Sequence, residues 1–206
     1  MDRTEALKPT LPEVEVFWGE IAPCEHLVQI YQDEGVFLDS LEGFVSGGIL
    51  SGESVVVIAT PGHLASLKLR LARRGVNVAT AIEQDQYVAL DAEDTLSRFM
   101  LNGWPDEDLF RALVTRILQR AKAGSRRVRA FGEMVAVLWD QGNSGATVRL
   151  EHLWHRLCQE QSFSLFCAYP RSGFTRNAAA SIKEICDTHS RIVSSPSSRG
   201  APQSDP

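Results

Sequence analysis

Glu133 is the carboxylate whose setting in this 206-residue chain most asks for a chemical reason. It follows the apolar run Val128-Arg-Ala-Phe-Gly132 and precedes Met134-Val-Ala-Val-Leu138, so it stands between two segments that must be buried. A carboxylate there is unfavourable unless its oxygens are hydrogen-bonded. Two readings stand level: a cap on the following helix, or a ligand contact at a strand end. A second group, Glu151-His-Leu-Trp-His155, sets Glu151 and His155 four residues apart on one helix face, with His152 three before His155. That spacing could hold a metal, but the zincin order is absent and no third ligand is evident, so ordinary histidines on a partly exposed helix are expected. Cys24-Glu-His26 and Cys186-Asp-Thr-His189 each pair a Cys with a His, yet zinc would require the two ends of the domain to meet. Neither a metal nor another cofactor is therefore expected.

Nucleophilic and phosphate chemistry find little support. There is no Gly-x-Ser-x-Gly, and Cys167 sits between Phe166 and Ala168 inside an apolar run, where a buried thiol is inert. A phosphate cradle needs glycines and a lysine, but the four lysines, at 8, 68, 122 and 183, never follow a glycine. The loop after the first strand reads Tyr31-Gln-Asp-Glu-Gly35, placing Asp33 and Glu34 at a helix start, where they satisfy the dipole and repel phosphate. Tyr31, Trp139, Trp154 and Tyr169, with His26 at the start of the first strand, could line a pocket for a small, mostly apolar ligand. The plain alternative for each aromatic is that it fills the core.

The elements that must position these groups are legible as alternating short apolar runs and helical patterns. Leu27–Tyr31, Ser54–Thr60, Tyr87–Asp91, Val128–Phe131 and Phe163–Tyr169 read as five strands, and Ser54-Val-Val-Val-Ile-Ala-Thr60 lacks the alternation of a half-buried one. Phe37, Leu41, Phe44, Val45 and Ile49 mark a helix, and Pro61 opens another with Leu64, Leu67 and Leu71 before Gly75. The strongest stripe is Leu109, Phe110, Leu113, Val114, Ile117, Leu118 and Ala121, ending at Gly124. Met134–Trp139, a segment with Val148, Leu150, Leu153, Trp154 and Leu157, and Ala178–Cys186 complete the helices. Connections of a dozen or more residues imply a mainly parallel five-stranded sheet with helices on both faces, a three-layer α/β domain. Ligands of such sheets collect beyond the carboxyl ends of the strands, here Tyr31–Asp33, Thr60–His63, Asp91–Asp94, Gly132-Glu133 and Tyr169-Pro170.

Composition bounds the partners. Lys+Arg 21 against Asp+Glu 26 gives a net charge of -5, which offers no footprint for nucleic-acid phosphates or anionic lipid. No apolar run approaches the roughly 18–20 residues of a membrane span, and charges occupy the first ten positions, so a cytoplasmic protein is expected. Residues 1–25 read as an N-terminal extension with an edge strand or extended lead-in near Val14–Gly19, 26–193 as the domain, and 194–206 as a disordered polar tail.

Cys24-Glu-His-Leu-Val-Gln-Ile-Tyr-Gln-Asp-Glu34, followed by Gly48-Ile-Leu-Ser-Gly-Glu-Ser-Val-Val-Val-Ile-Ala59, resembles the opening of the MEDS family, the methanogen/methylotroph DcmR-type sensory domain. Tyr87–Ala92, Arg129–Ala136, Leu150-Glu151 and Leu165–Pro170 follow in the family's order. The resemblance implies a RecA/KaiC-like fold that has lost its phosphate loop, with Glu133 near the acidic strand-end position of those ATPases. It implies a sensory role, and a non-catalytic sensory or regulatory domain is expected; position and resemblance together make His26, Tyr31, Glu133, Trp139, Glu151 and Tyr169 the candidate ligand contacts. The partners to expect are a small molecule and a separate signalling protein, such as a histidine kinase or transcription regulator, because only a polar tail follows Val193. The alternative is a nucleotide- or metal-binding ATPase-like enzyme using Glu133 and Asp91.

Overall fold

The computed structural model describes residues 13, 14, 18, 21–174 and 179–193; the expected tail and most of the N-terminal extension lie outside them. The chain runs β1 (Glu13–Val14), β2 (His26–Tyr31), α1 (Glu34–Leu50), β3 (Ser54–Ala59), α2 (Pro61–Arg73), α3 (Val78–Glu83), β4 (Tyr87–Asp91) and α4 (Ala92–Ser97). A small hairpin, β5 (Met100–Leu101) and β6 (Trp104–Pro105), leads to α5 (Glu107–Ala121), β7 (Val128–Gly132), α6 (Met134–Asp140), α7 (Ser144–Gln161), β8 (Ser164–Pro170), α8 (Ala179–Asp187) and β9 (Arg191–Val193).

Seven parallel strands form the sheet in the order β1-β9-β2-β8-β7-β3-β4. The five expected strands, β2-β8-β7-β3-β4, are contiguous with β4 at one edge, and two short strands, β9 and β1, extend the sheet beyond β2. Every residue of β3 is buried, as its unbroken β-branched run requires. Alternate residues feed two cores. Leu27, Val55, Val57, Phe131 and Phe166 pack under α1, α2 and α3, while Val28, Val56, Ala130, Leu165, Cys167 and Tyr169 pack under α4 to α8. The stripe on α5 narrows to Phe110, Val114, Leu118 and Ala121; Leu109, expected within it, is exposed because it sits one residue off the contact line. The short α3 and α4 and the hairpin were not foreseen, since none is long enough to show a period.

Local chemistry fixes the connections. Asp33 caps α1 by accepting the Val36 N–H at 3.0 Å, and Pro61 fills a first-turn position of α2, where an N–H would have no helical partner. Helix α1 approaches the sheet closely at Gly48, where a Cβ would lie 2.7 Å from Val55 Cγ2 and 2.8 Å from Arg129 Cδ. Among the described residues no helix is long and apolar enough to cross a membrane.

Candidate functional site

The helices after β3 and β7 leave on opposite faces, α2 into one core and α6 into the other, although the two strands are neighbours. Such a divergence opens a crevice at the carboxyl edge of a parallel sheet. Glu133 stands at that edge, between the ends of β3 and β7. Its backbone N–H donates to Ile58 O at 2.8 Å, and its Oε2 accepts the Thr60 N–H at 2.8 Å. His63 Nδ1 lies 2.7 Å from Glu133 Oε1, and its Nε2 lies 3.3 Å from Oε1 of Glu34. The carboxylate makes no cap bond to α6; it ties the end of β3 and the first turn of α2 to β7 instead. Phe37 floors the group, with His63 edge-on at 5.0 Å and Tyr31 stacked at 4.7 Å.

The electrostatics follow from half-burial. The hydrogen bond to Glu133 raises the His63 pKa against the opposing effect of burial. Tyr31 is pushed up to about 12 by burial, then by the charges of Glu133 and Glu34. His63 is 15% exposed and Glu34 67%, so the rim of this group meets solvent. A histidine held between two carboxylates, with its pKa raised, can donate to a polar group arriving at the edge or exchange a carboxylate partner for it.

A second group lies on the other face of the sheet, beneath α7. His26, Glu151, Cys167 and His189 are all buried. Glu151 Oε2 lies 3.5 Å from His26 Nε2, 3.6 Å from His189 Nε2 and 3.7 Å from Cys167 Sγ, and Cys167 Sγ lies 3.5 Å from His26 Nε2. The Tyr169 hydroxyl donates to the other oxygen of Glu151. His26 Nδ1 faces Thr188 O at 3.1 Å, and His189 Nδ1 faces Ile185 O at 2.5 Å. Burial drives every member towards neutrality: Glu151 is raised to about 7, His189 lowered to about 4, His26 lowered well below its ordinary value, and the Cys167 thiol raised well above its own.

The six residues singled out in the sequence therefore divide. Tyr31 and Glu133 meet at the carboxyl edge, whereas His26, Glu151 and Tyr169 meet under α7. Trp139 stands edge-on to Tyr169, ring centroids 6.2 Å apart, and donates its indole N–H to Gly173 O at 2.7 Å. Asp91 is occupied as the cap of α4, accepting the Asp94 N–H at 2.8 Å, and β3 separates its strand from that of Glu133. Of the histidines on α7, His152 faces Glu184 at the surface, while His155 has an Nδ1 that is buried without a hydrogen bond. The two ends of the domain do meet, because β9 pairs with β2, but they bring His26 and His189 together with Glu151 and Cys167.

Sequence reasoning did not join His63 and Glu34 to Glu133, judged Cys167 inert, and weighed His189 with His26 only as part of a Cys-His zinc pairing that was not expected. His63 was within reach, since Thr60–His63 closes a strand. Cys167 could have been joined to Tyr169 and Glu151 by noting that alternate strand residues share a face. The family model described as MEDS: MEthanogen/methylotroph, DcmR Sensory domain matches residues 25–190, which hold both groups. No curated protein matches the chain.

Proposed function

This chain belongs to the MEDS family of sensory domains, and from that we propose a non-catalytic, cytoplasmic regulatory module that reads a small molecule or a signalling partner at the carboxyl edge of its sheet. The observation that carries the reading is the Thr60–His63–Glu133 group, set in the crevice between two neighbouring strands whose helices diverge. Parallel sheets bind their ligands at such points. The floor of Phe37 and Tyr31 suits an apolar body, while His63 and the exposed Glu34 suit a polar end. Output passes to a separate protein such as a histidine kinase or transcription regulator.

A RecA/KaiC-like ancestry without nucleotide chemistry fits the first helix. Its N-terminus, where a phosphate would sit, is filled by the Asp33 cap and carries Glu34. Nothing favours the ATPase-like alternative, because the Asp91 carboxylate is engaged in capping. ATP with magnesium is expected to leave the melting temperature unchanged, whereas a ligand at 100 times its Kd adds about 2.7 kcal/mol.

Parallel capture with the tagged wild-type chain, Glu133→Gln and His63→Gln tests the proposal. Small molecules and proteins retained by the wild type, identified by mass spectrometry, should be lost from both variants while their melting temperatures stay close to the parent. A retained set that is the same for all three removes the crevice from the function.

A further inference from the structure

We propose that His26, Glu151, Cys167 and His189 form a closed, tetrahedral binding site for a divalent transition metal, with Zn²⁺ the best match. A tetrahedral zinc with bonds of about 2.0–2.3 Å to nitrogen, oxygen and sulfur sets its ligand atoms about 3.3–3.6 Å apart. Four of the six separations here are 3.5, 3.5, 3.6 and 3.7 Å, and all lie within 4.8 Å. The donor set of two imidazoles, one thiolate and one carboxylate is that of a borderline metal rather than of calcium or magnesium.

The surroundings prepare the same four atoms. Both histidines direct Nδ1 at a backbone carbonyl, Thr188 O for His26 and Ile185 O for His189. Donation from Nδ1–H fixes the tautomer and leaves the lone pair of each Nε2 facing inward, as metal-binding histidines require. The Tyr169 hydroxyl holds Glu151 by one oxygen and leaves Oε2 at the centre. His189 Nε2 is buried there without a hydrogen bond. Two imidazole lone pairs, a carboxylate oxygen and a sulfur thus converge with the thiol hydrogen as the only fixed donor among them, and each unsatisfied acceptor at this depth is unfavourable. Metal binding resolves the excess. As the sulfur–metal bond forms, the thiol proton leaves to solvent, together with any proton on Glu151, and the thiolate and carboxylate balance the charge of M²⁺.

Four protein donors leave no open position, so the ion is structural rather than catalytic. Its ligands come from β2, α7, β8 and the turn before β9, residues 163 positions apart at the extremes, His26 and His189. The metal clips the end of the domain to its beginning. This site is independent of the crevice at the carboxyl edge, and its test reads metal rather than ligand.

The full-length chain, reduced and stripped with a chelator, is titrated with Co²⁺ and with Zn²⁺. Equimolar Co²⁺ should give the intense visible bands of tetrahedral cobalt and a thiolate-to-cobalt band in the near ultraviolet, both displaced by Zn²⁺. Cys167→Ser should lose the thiolate band, and Tyr169→Phe, which keeps all four ligands, should weaken metal affinity by about 10- to 100-fold. Zn²⁺ should also raise the melting temperature of the stripped wild type, a readout that needs no variant to fold. The proposal is overturned if neither metal gives a spectrum or a thermal shift in the wild type, or if bound Co²⁺ shows no thiolate band.

Discussion

At the carboxyl edge, His63 lies 2.7 Å from the carboxylate of Glu133 and part of its ring still meets water; under α7, His26 lies 3.5 Å from that of Glu151 and meets none. The same two residue types give opposite outcomes. At the edge, the hydrogen bond to Glu133 outweighs burial, and the histidine is drawn towards its charged form. Under α7, burial, helped by His189 and His155, outweighs the hydrogen bond to Thr188 O and lowers the His26 pKa well below its ordinary value, while burial raises Glu151 to about 7. A half-buried ion pair can trade partners at little expense. A buried set of neutral donors and acceptors cannot, because each member removed strands the others. Exchange with a ligand or partner therefore suits the edge, and permanent architecture suits the interior.

The largest test of that contrast is Glu151→Ala in the metal-free protein. It strands the Tyr169 hydroxyl and leaves a cavity among His26, Cys167 and His189, so unfolding in urea should show a loss of about 3–5 kcal/mol. A loss below about 1 kcal/mol would mean that the interior group relaxes as freely as the edge. Glu133→Gln is the smaller counterpart. The amide oxygen can still accept from the Thr60 N–H, and the shape is kept, so stability should fall by less than about 1 kcal/mol. A loss as large as that of Glu151→Ala would show that the edge carboxylate is structural after all.

How each region could be read from the sequence follows from the range of its contacts. The central strands were legible because β-branched runs such as Val55–Ala59 need burial on both faces, and Glu133 was legible because it closes such a run. Strand β9 was not, since Arg191-Ile-Val193 is too short to show a pattern, and without it nothing brings His189 to His26. Cys167 looked inert for the reason that makes it a plausible ligand: an apolar run hides it, and what shares its hiding place depends on pairings more than a hundred residues apart in sequence. Helix α7 was recognised, but which of its faces looked inward decided whether Glu151 or His152 would be buried, and only tertiary packing chose Glu151.

The smallest expected effect is a change of slope with pH, and it belongs to the edge alone. His63 faces Glu133 between β7 and α6, Glu34 from α1 and the ring of Phe37, with Tyr31 beyond, and its pKa is raised in the folded state. A group whose folded pKa exceeds its unfolded value, about 6.5 for histidine, stabilises fully below that value and loses its contribution as pH rises through the folded pKa. The difference in unfolding free energy between the wild type and His63→Gln should therefore be largest below about pH 6.5 and should shrink as the pH rises through the raised folded pKa. Pairs this exposed contribute about 0.2–1 kcal/mol, so the measurement needs denaturant curves at several pH values rather than one. In a Glu133→Gln background the same difference should flatten, because only the exposed Glu34 remains to hold the charge. If the difference is constant across that range, His63 is not ionised at the edge, and the distinction between an ionic rim and a neutral interior fails at the residue that defines it.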